Sequence, residues 1–107
     1  MEHGDILARL EATIAQRRMG DPSASYVAKL NAKGVAKIAQ KVGEEGTETV
    51  IAALAGDRKE LVGEAADLIF HLMALLSAKD VLLAEVLAEL ERREGTTGIA
   101  EKASRSN

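Results

Sequence analysis

Residues 61–76 read LVGEAADLIFHLMALL, and their pattern decides the architecture. From Leu68 to Leu76 the segment is apolar at nearly every position, interrupted only by His71. Strict alternation is absent, so a half-buried strand is not indicated. A helix apolar on all sides is one that is covered, in a bundle centre or at a subunit interface. Its first half is different. At 100° per residue, Glu60, Glu64, Asp67 and His71 share an arc of roughly 60°. Asp57 followed by Glu60 is an aspartate variant of the capping box, so the helix is expected from Gly56-Asp57 to about Ser77.

Working outward, the same period recurs. Upstream, Val35, Ile38, Val42, Ile51 and Leu54 predict a long helix over 34–55. Gly43 and Gly46 lie inside it, where glycine suggests close approach of a neighbour or ligand. Ser25 is placed to cap a short helix, Tyr26 to Asn31, and Gly34 marks a junction. Met19-Gly20-Asp21-Pro22-Ser23 reads as a loop. Ile6, Leu7, Leu10 and Ile14 predict a first helix over 4–18. Downstream, Asp80 is expected to cap a helix from Val81 to about Glu94, with Leu82, Leu83, Val86, Leu87 and Leu90 inward. No strand is predicted. The fold class is therefore all-α, a bundle of about four to five helices. Residues 1–94 form one domain, and the polar, glycine-containing tail, 95–107, is flexible or ordered by a ligand. Association would help so small a chain cover its apolar faces.

Composition narrows the function. The chain has 107 residues, 47% hydrophobic and 29% charged, with a formal charge of -3. Neither a basic polyanion binder nor an aromatic stacking platform fits that balance with one Tyr, one Phe and no Trp. No nucleic-acid partner is expected. Cysteine is absent, which removes disulfides, zinc thiolates and a cysteine nucleophile. No uninterrupted apolar run approaches the ~20 residues of a membrane span. The opening MEHGDILARL lacks a basic stretch followed by an apolar one. A cytoplasmic protein without a membrane partner is the expectation.

Two acidic clusters carry the chemistry. Lys41, Glu44, Glu45 and Glu48 fall within roughly 100° of arc on the upstream helix. Carboxylates at these spacings repel one another. A solvated glutamate face is the ordinary explanation of such a cluster, but the second stripe runs directly into a segment that should be buried, where an unpaired charge is costly. Glu45 and Glu48 on one helix can converge with Glu64 and Asp67 on its neighbour. Four carboxylates meeting in a bundle demand a counter-charge, and oxygen-only donors suit Mg²⁺ or Mn²⁺, often completed by substrate phosphates. A di-iron site would want Glu-x-x-His motifs, and neither acid pair ends in His.

Other residues stay open between two readings. His71 is a core histidine bonded to a nearby acceptor, or a substrate contact. Tyr26 is packing or a ligand contact. Lys29, Lys33, Lys37 and Lys41 are solvated or face phosphates, and Lys102 and Arg105 in the tail share that ambiguity.

Glu44-Glu45-x-x-Glu48, then fifteen intervening residues, then Glu64-x-x-Asp67, resembles the signature of the all-α (MazG-like) nucleoside triphosphate pyrophosphatases. The segments 25–30, 37–45, 64–72 and 92–105 narrow the resemblance to the phosphoribosyl-ATP pyrophosphatase family of histidine biosynthesis. Phe70 stands where Tyr is expected, Gly46 where Ala is usual and Val27 where Thr is usual. The resemblance implies Mg²⁺-dependent hydrolysis of 1-(5-phosphoribosyl)-ATP in a homodimer. It implies Glu45, Glu48, Glu64 and Asp67 as metal ligands. Glu44 would position or deprotonate the attacking water, and Lys41 would contact phosphate or tune the carboxylates. Tyr26, Lys37, His71, Lys102 and Arg105 are candidate substrate contacts. Two rivals remain: a house-cleaning nucleotide pyrophosphatase, which would hydrolyse simple nucleotides, and a non-catalytic helical dimerisation module, which would show no Mg²⁺-dependent stabilisation.

Overall fold

Ser25 and Asp57 act as helix caps. Both lie in extended backbone, and their side chains accept hydrogen bonds from the amides of Ala28 (3.2 Å) and Glu60 (2.8 Å). Each cap satisfies an amide that the first helical turn would otherwise leave unpaired. In a computed structural model of the chain, which describes residues 3–95 together with Gly98 and Lys102, five helices follow in order. They are α1 (Ile6–Arg17), α2 (Tyr26–Lys33), α3 (Val35–Ala55), α4 (Arg58–Ala78) and α5 (Leu83–Arg93). No strand occurs among the described residues.

The dominant packing is α3 against α4, with α1 also on α4 and α2 on α3. Two apolar clusters hold the assembly. Ile14, Val27 and Met73 form one, and Leu30, Ile38 and Ala74 the other, with Phe70 packed against both. The corner between α2 and α3 is a single residue. Gly34 has φ 92° and ψ 165°, a region that a side chain makes strained.

Asp80 does not cap α5. It adopts φ 56°, and its carboxylate takes the Arg18 guanidinium at 3.2 Å. That guanidinium also donates to the Ser77 carbonyl, closing the end of α1 onto the end of α4. The residue before α5 is Leu82, whose amide donates to the Glu85 carboxylate at 2.9 Å. The next amide, of Leu83, donates to Glu11 at 2.7 Å and docks α5 on α1.

One expectation of burial is corrected, and another is met on part of its helix only. Nothing on α5 is buried: Leu83 and Val86 are half-buried, and Leu82, Leu87 and Leu90 are exposed, because only the start of this helix reaches the core. On α4, His71, Met73 and Ala74 are buried, but Ile69 and Leu72 are exposed. Among the described residues, α1, α2 and α3 pack on α4 and leave these positions uncovered. This helix is long and apolar enough to span a bilayer by length and composition, yet its buried residues pack against α1 and α2. Of the tail, only Gly95, Gly98 and Lys102 are described.

Candidate active site

The pairing of α3 with α4 brings acids from both helices to one point. Carboxylate oxygens of Glu45, Glu48 and Glu64 all lie within 4.8 Å of one another. Thr49 fixes the helices at this level. Its hydroxyl donates to the Glu45 carbonyl at 2.7 Å, within the same helix, and lies 3.2 Å from the Glu64 carbonyl across the interface. Sequence reasoning missed Thr49, whose only signal was its position four residues after Glu45. Asp67, one turn beyond Glu64, is exposed and lies outside that mutual distance. Of the four expected ligands, the structure gathers three.

Glu45 is the strained member. It is only 7% exposed, and its Oε2 has no hydrogen-bond partner among the described residues. Desolvation pushes its carboxyl above the ordinary range, and the neighbouring Glu48 and Asp67 charges push the same way. A buried, unpaired carboxylate oxygen flanked by further carboxylates is costly unless protonated or neutralised by a cation. The donor set is oxygen alone, which suits a hard divalent ion such as Mg²⁺. The residues fit such an ion.

Glu44 lies beside these acids but is engaged elsewhere. It accepts from the Gln40 amide at 2.7 Å and pairs with Lys41 at 3.5 Å. The Gln40 bond first, then Lys41, hold its carboxyl below the usual range, so it is ionised at neutral pH. The Lys41 ammonium is held above its usual range, first by Tyr26 and then by Glu44 and Glu45. Three concavities meet around this constellation. An open cleft of about 500 Å³ is lined by Lys41, Glu44, Glu45, Thr47 and Glu48. A second, of about 260 Å³, lies beside Glu48, Glu60 and Glu64. A third, also about 260 Å³, is lined by Lys29, Lys33, Lys37 and Lys41 with Tyr26 and Glu44. Lys37 thus faces a groove.

His71 and Tyr26 form one unit behind the acids. The Nδ1 of His71 donates to the Asp67 carbonyl at 2.8 Å, since a carbonyl only accepts. In the neutral ring Nε2 is then an acceptor, and the Tyr26 hydroxyl, 2.9 Å away, donates to it. Phe70 stacks on Tyr26 with centroids 5.9 Å apart and meets His71 edge-on at 5.2 Å. A Cβ at Gly43 or Gly46 would meet nothing within 4 Å, so no neighbour among the described residues approaches them, which leaves only the ligand half of the expectation. Lys102 is exposed, and Arg105 lies outside the described residues.

Comparison with known proteins adds to this geometry. The family described as phosphoribosyl-ATP pyrophosphohydrolase matches residues 7–94. The chain is 92% identical to the phosphoribosyl-ATP pyrophosphatase of Novosphingobium aromaticivorans over the full length of both. It is 67% identical to that of Erythrobacter litoralis, over 96% of this chain and 99% of the relative. With that of Rhizorhabdus wittichii it shares 68% identity over 92% of this chain and 93% of the relative.

Proposed function

The chain belongs to the phosphoribosyl-ATP pyrophosphohydrolase family, and from that premise we propose that it hydrolyses 1-(5-phosphoribosyl)-ATP to 1-(5-phosphoribosyl)-AMP and pyrophosphate, the second step of L-histidine biosynthesis. One observation carries the site assignment: the convergence of Glu45, Glu48 and Glu64, with an unpaired buried oxygen on Glu45.

Glu45, Glu48 and Glu64 would hold Mg²⁺, and Asp67, one turn beyond Glu64, would join them as a fourth ligand. The ion supplies neutralisation of triphosphate charge when bound. The chain's own groups do the rest. Glu44, ionised at the edge of the open cleft, orients the attacking water and takes its proton. The water oxygen bonds to the α-phosphorus, the α–β bridging bond breaks, and pyrophosphate leaves with the bridging oxygen. Lys41, cationic beside Glu44, contacts the phosphates and stabilises charge that develops on them. Tyr26 and His71 border the substrate and brace Asp67 through its carbonyl. Lys102 of the tail is a further substrate contact in this reading, and Arg105, the other candidate, lies outside the described residues.

The active unit is a homodimer. Val50, Ile51, Leu54, Val62, Ile69 and Leu72 leave a large apolar surface on α3 and α4 exposed, which favours association. We place the reaction in the cytoplasm, where nucleotide-derived substrates and Mg²⁺ are at hand.

The test is pyrophosphate release from phosphoribosyl-ATP, ATP, dATP and dUTP, with and without Mg²⁺. Metal-dependent release from phosphoribosyl-ATP, far above that from the simple nucleotides, is expected. Release mainly from simple nucleotides would move the protein to the house-cleaning branch. No release from any of them by folded protein would overturn an enzymatic role.

A further inference from the structure

We propose that the groove between α2 and α3 binds the terminal phosphate of the substrate's phosphoribosyl group, with Lys29 and Lys33 as its fixed cations. The proposal rests on the function given above and extends it to how this substrate is distinguished from ATP.

The groove encloses about 260 Å³ and presents four lysines against one carboxylate, in a chain whose formal charge is -3. That carboxylate, Glu44, is already bonded to Gln40 and paired with Lys41. Lys29 and Lys33 have no ion-pair or hydrogen-bond partner among the described residues. The arrangement follows from the backbone. Lys29 and Lys33 are spaced i,i+4 on α2, Lys37 and Lys41 are spaced i,i+4 on α3, and the one-residue corner at Gly34 turns both pairs onto the same concavity. Nothing in core packing requires four like charges to meet there, and like charges so placed repel unless an anion joins them.

The substrate supplies such an anion. It carries a triphosphate at one end and a phosphomonoester, close to dianionic at neutral pH, at the other. The triphosphate belongs with the acids, where a cation neutralises both sides. The acids alone would repel the second phosphate, so it needs side chains that are themselves positive. Lys41 and Glu44 line both this groove and the open acidic cleft, so one ligand can reach from the glutamates to Lys29 and Lys33. ATP has no group for the lysine end. Lysine binds phosphate as a compact point charge, and a pair of them suits a terminal phosphate free to rotate.

The experiment compares wild type with the Lys29→Ala/Lys33→Ala double variant of the full chain. It measures the KM for phosphoribosyl-ATP, inhibition of that reaction by ATP, and competition by ribose 5-phosphate. The expected result is a KM raised about tenfold or more, weakened competition by ribose 5-phosphate, and unaltered inhibition by ATP. The Lys29→Arg/Lys33→Arg variant should recover most of the loss. An unchanged KM in an active enzyme overturns the proposal and leaves the function intact. Equal weakening of phosphoribosyl-ATP and ATP also overturns it, since the groove would then serve the triphosphate. A wild-type protein that leaves phosphoribosyl-ATP intact removes the function itself, and the groove's assignment with it.

Discussion

The Tyr26 hydroxyl lies 2.9 Å from Nε2 of His71, forty-five positions away in the chain, and the opposite ring nitrogen donates to the Asp67 carbonyl. The imidazole is thus held at both ends. Through it, α2 is tied to the turn of α4 that carries Glu64 and Asp67. Tyr26→Phe keeps the ring stack on Phe70 but leaves a buried acceptor unpaired. It should cost about 1–3 kcal/mol in denaturant unfolding. Unchanged stability would show that the hydrogen bond holds nothing.

Glu45 should be a liability to the metal-free fold. Its carboxyl is raised above the ordinary value, so the folded state favours the protonated form. Its contribution is therefore most favourable below the unfolded pKa and is lost as pH rises through the folded one. With chelator present, Glu45→Gln should melt higher than wild type at neutral pH, and the gap should narrow toward pH 4. Added Mg²⁺ should stabilise wild type and not the variant. A variant that melts lower at neutral pH in chelator would contradict this.

Thr49→Val removes the hydroxyl between the Glu45 and Glu64 carbonyls at nearly constant volume. The fold should persist, with a loss of about 0.5–1.5 kcal/mol. Divalent-ion affinity should fall by about tenfold, because the helices that carry the ligands are no longer pinned. Calorimetric titration with Mn²⁺ reads this directly, and unaltered affinity would remove Thr49 from the site.

Gly34→Ala tests the corner. A Cβ there would meet no atom within 4 Å, so its cost is backbone strain alone, about 1–3 kcal/mol at φ 92° and ψ 165°. A denaturation midpoint equal to wild type would mean that the corner relaxes freely.

Much of this was legible locally. Ser25 and Asp57 cap by bonding amides three residues on, and that information lies within one turn. The acid pairs were legible from spacing, because Glu45, Glu48 and Glu64 need only a helix period and a neighbour to converge. Asp80 departs from the expected cap because its partner, Arg18, sits just past the end of α1, and no local pattern distinguishes a cap from a tertiary ion pair. The leucines of α5 were read as inward by the same period that placed Ile38 correctly. Period identifies an apolar face, but not whether a single chain covers it. The Tyr26–His71 bond, the Thr49 bridge and the meeting of four lysines all depend on how α2, α3 and α4 pack, which no short window records.

The central claim is that Glu45, Glu48 and Glu64 form a divalent-cation centre. A crystal structure with Mn²⁺, read by anomalous scattering, tests it most directly. The account predicts a peak bounded by oxygens of these three glutamates at about 2.0–2.3 Å, with Asp67 drawn in from the rim or linked through water. A folded crystal soaked in Mn²⁺ that shows no peak between α3 and α4, or places it away from Glu45, would contradict it.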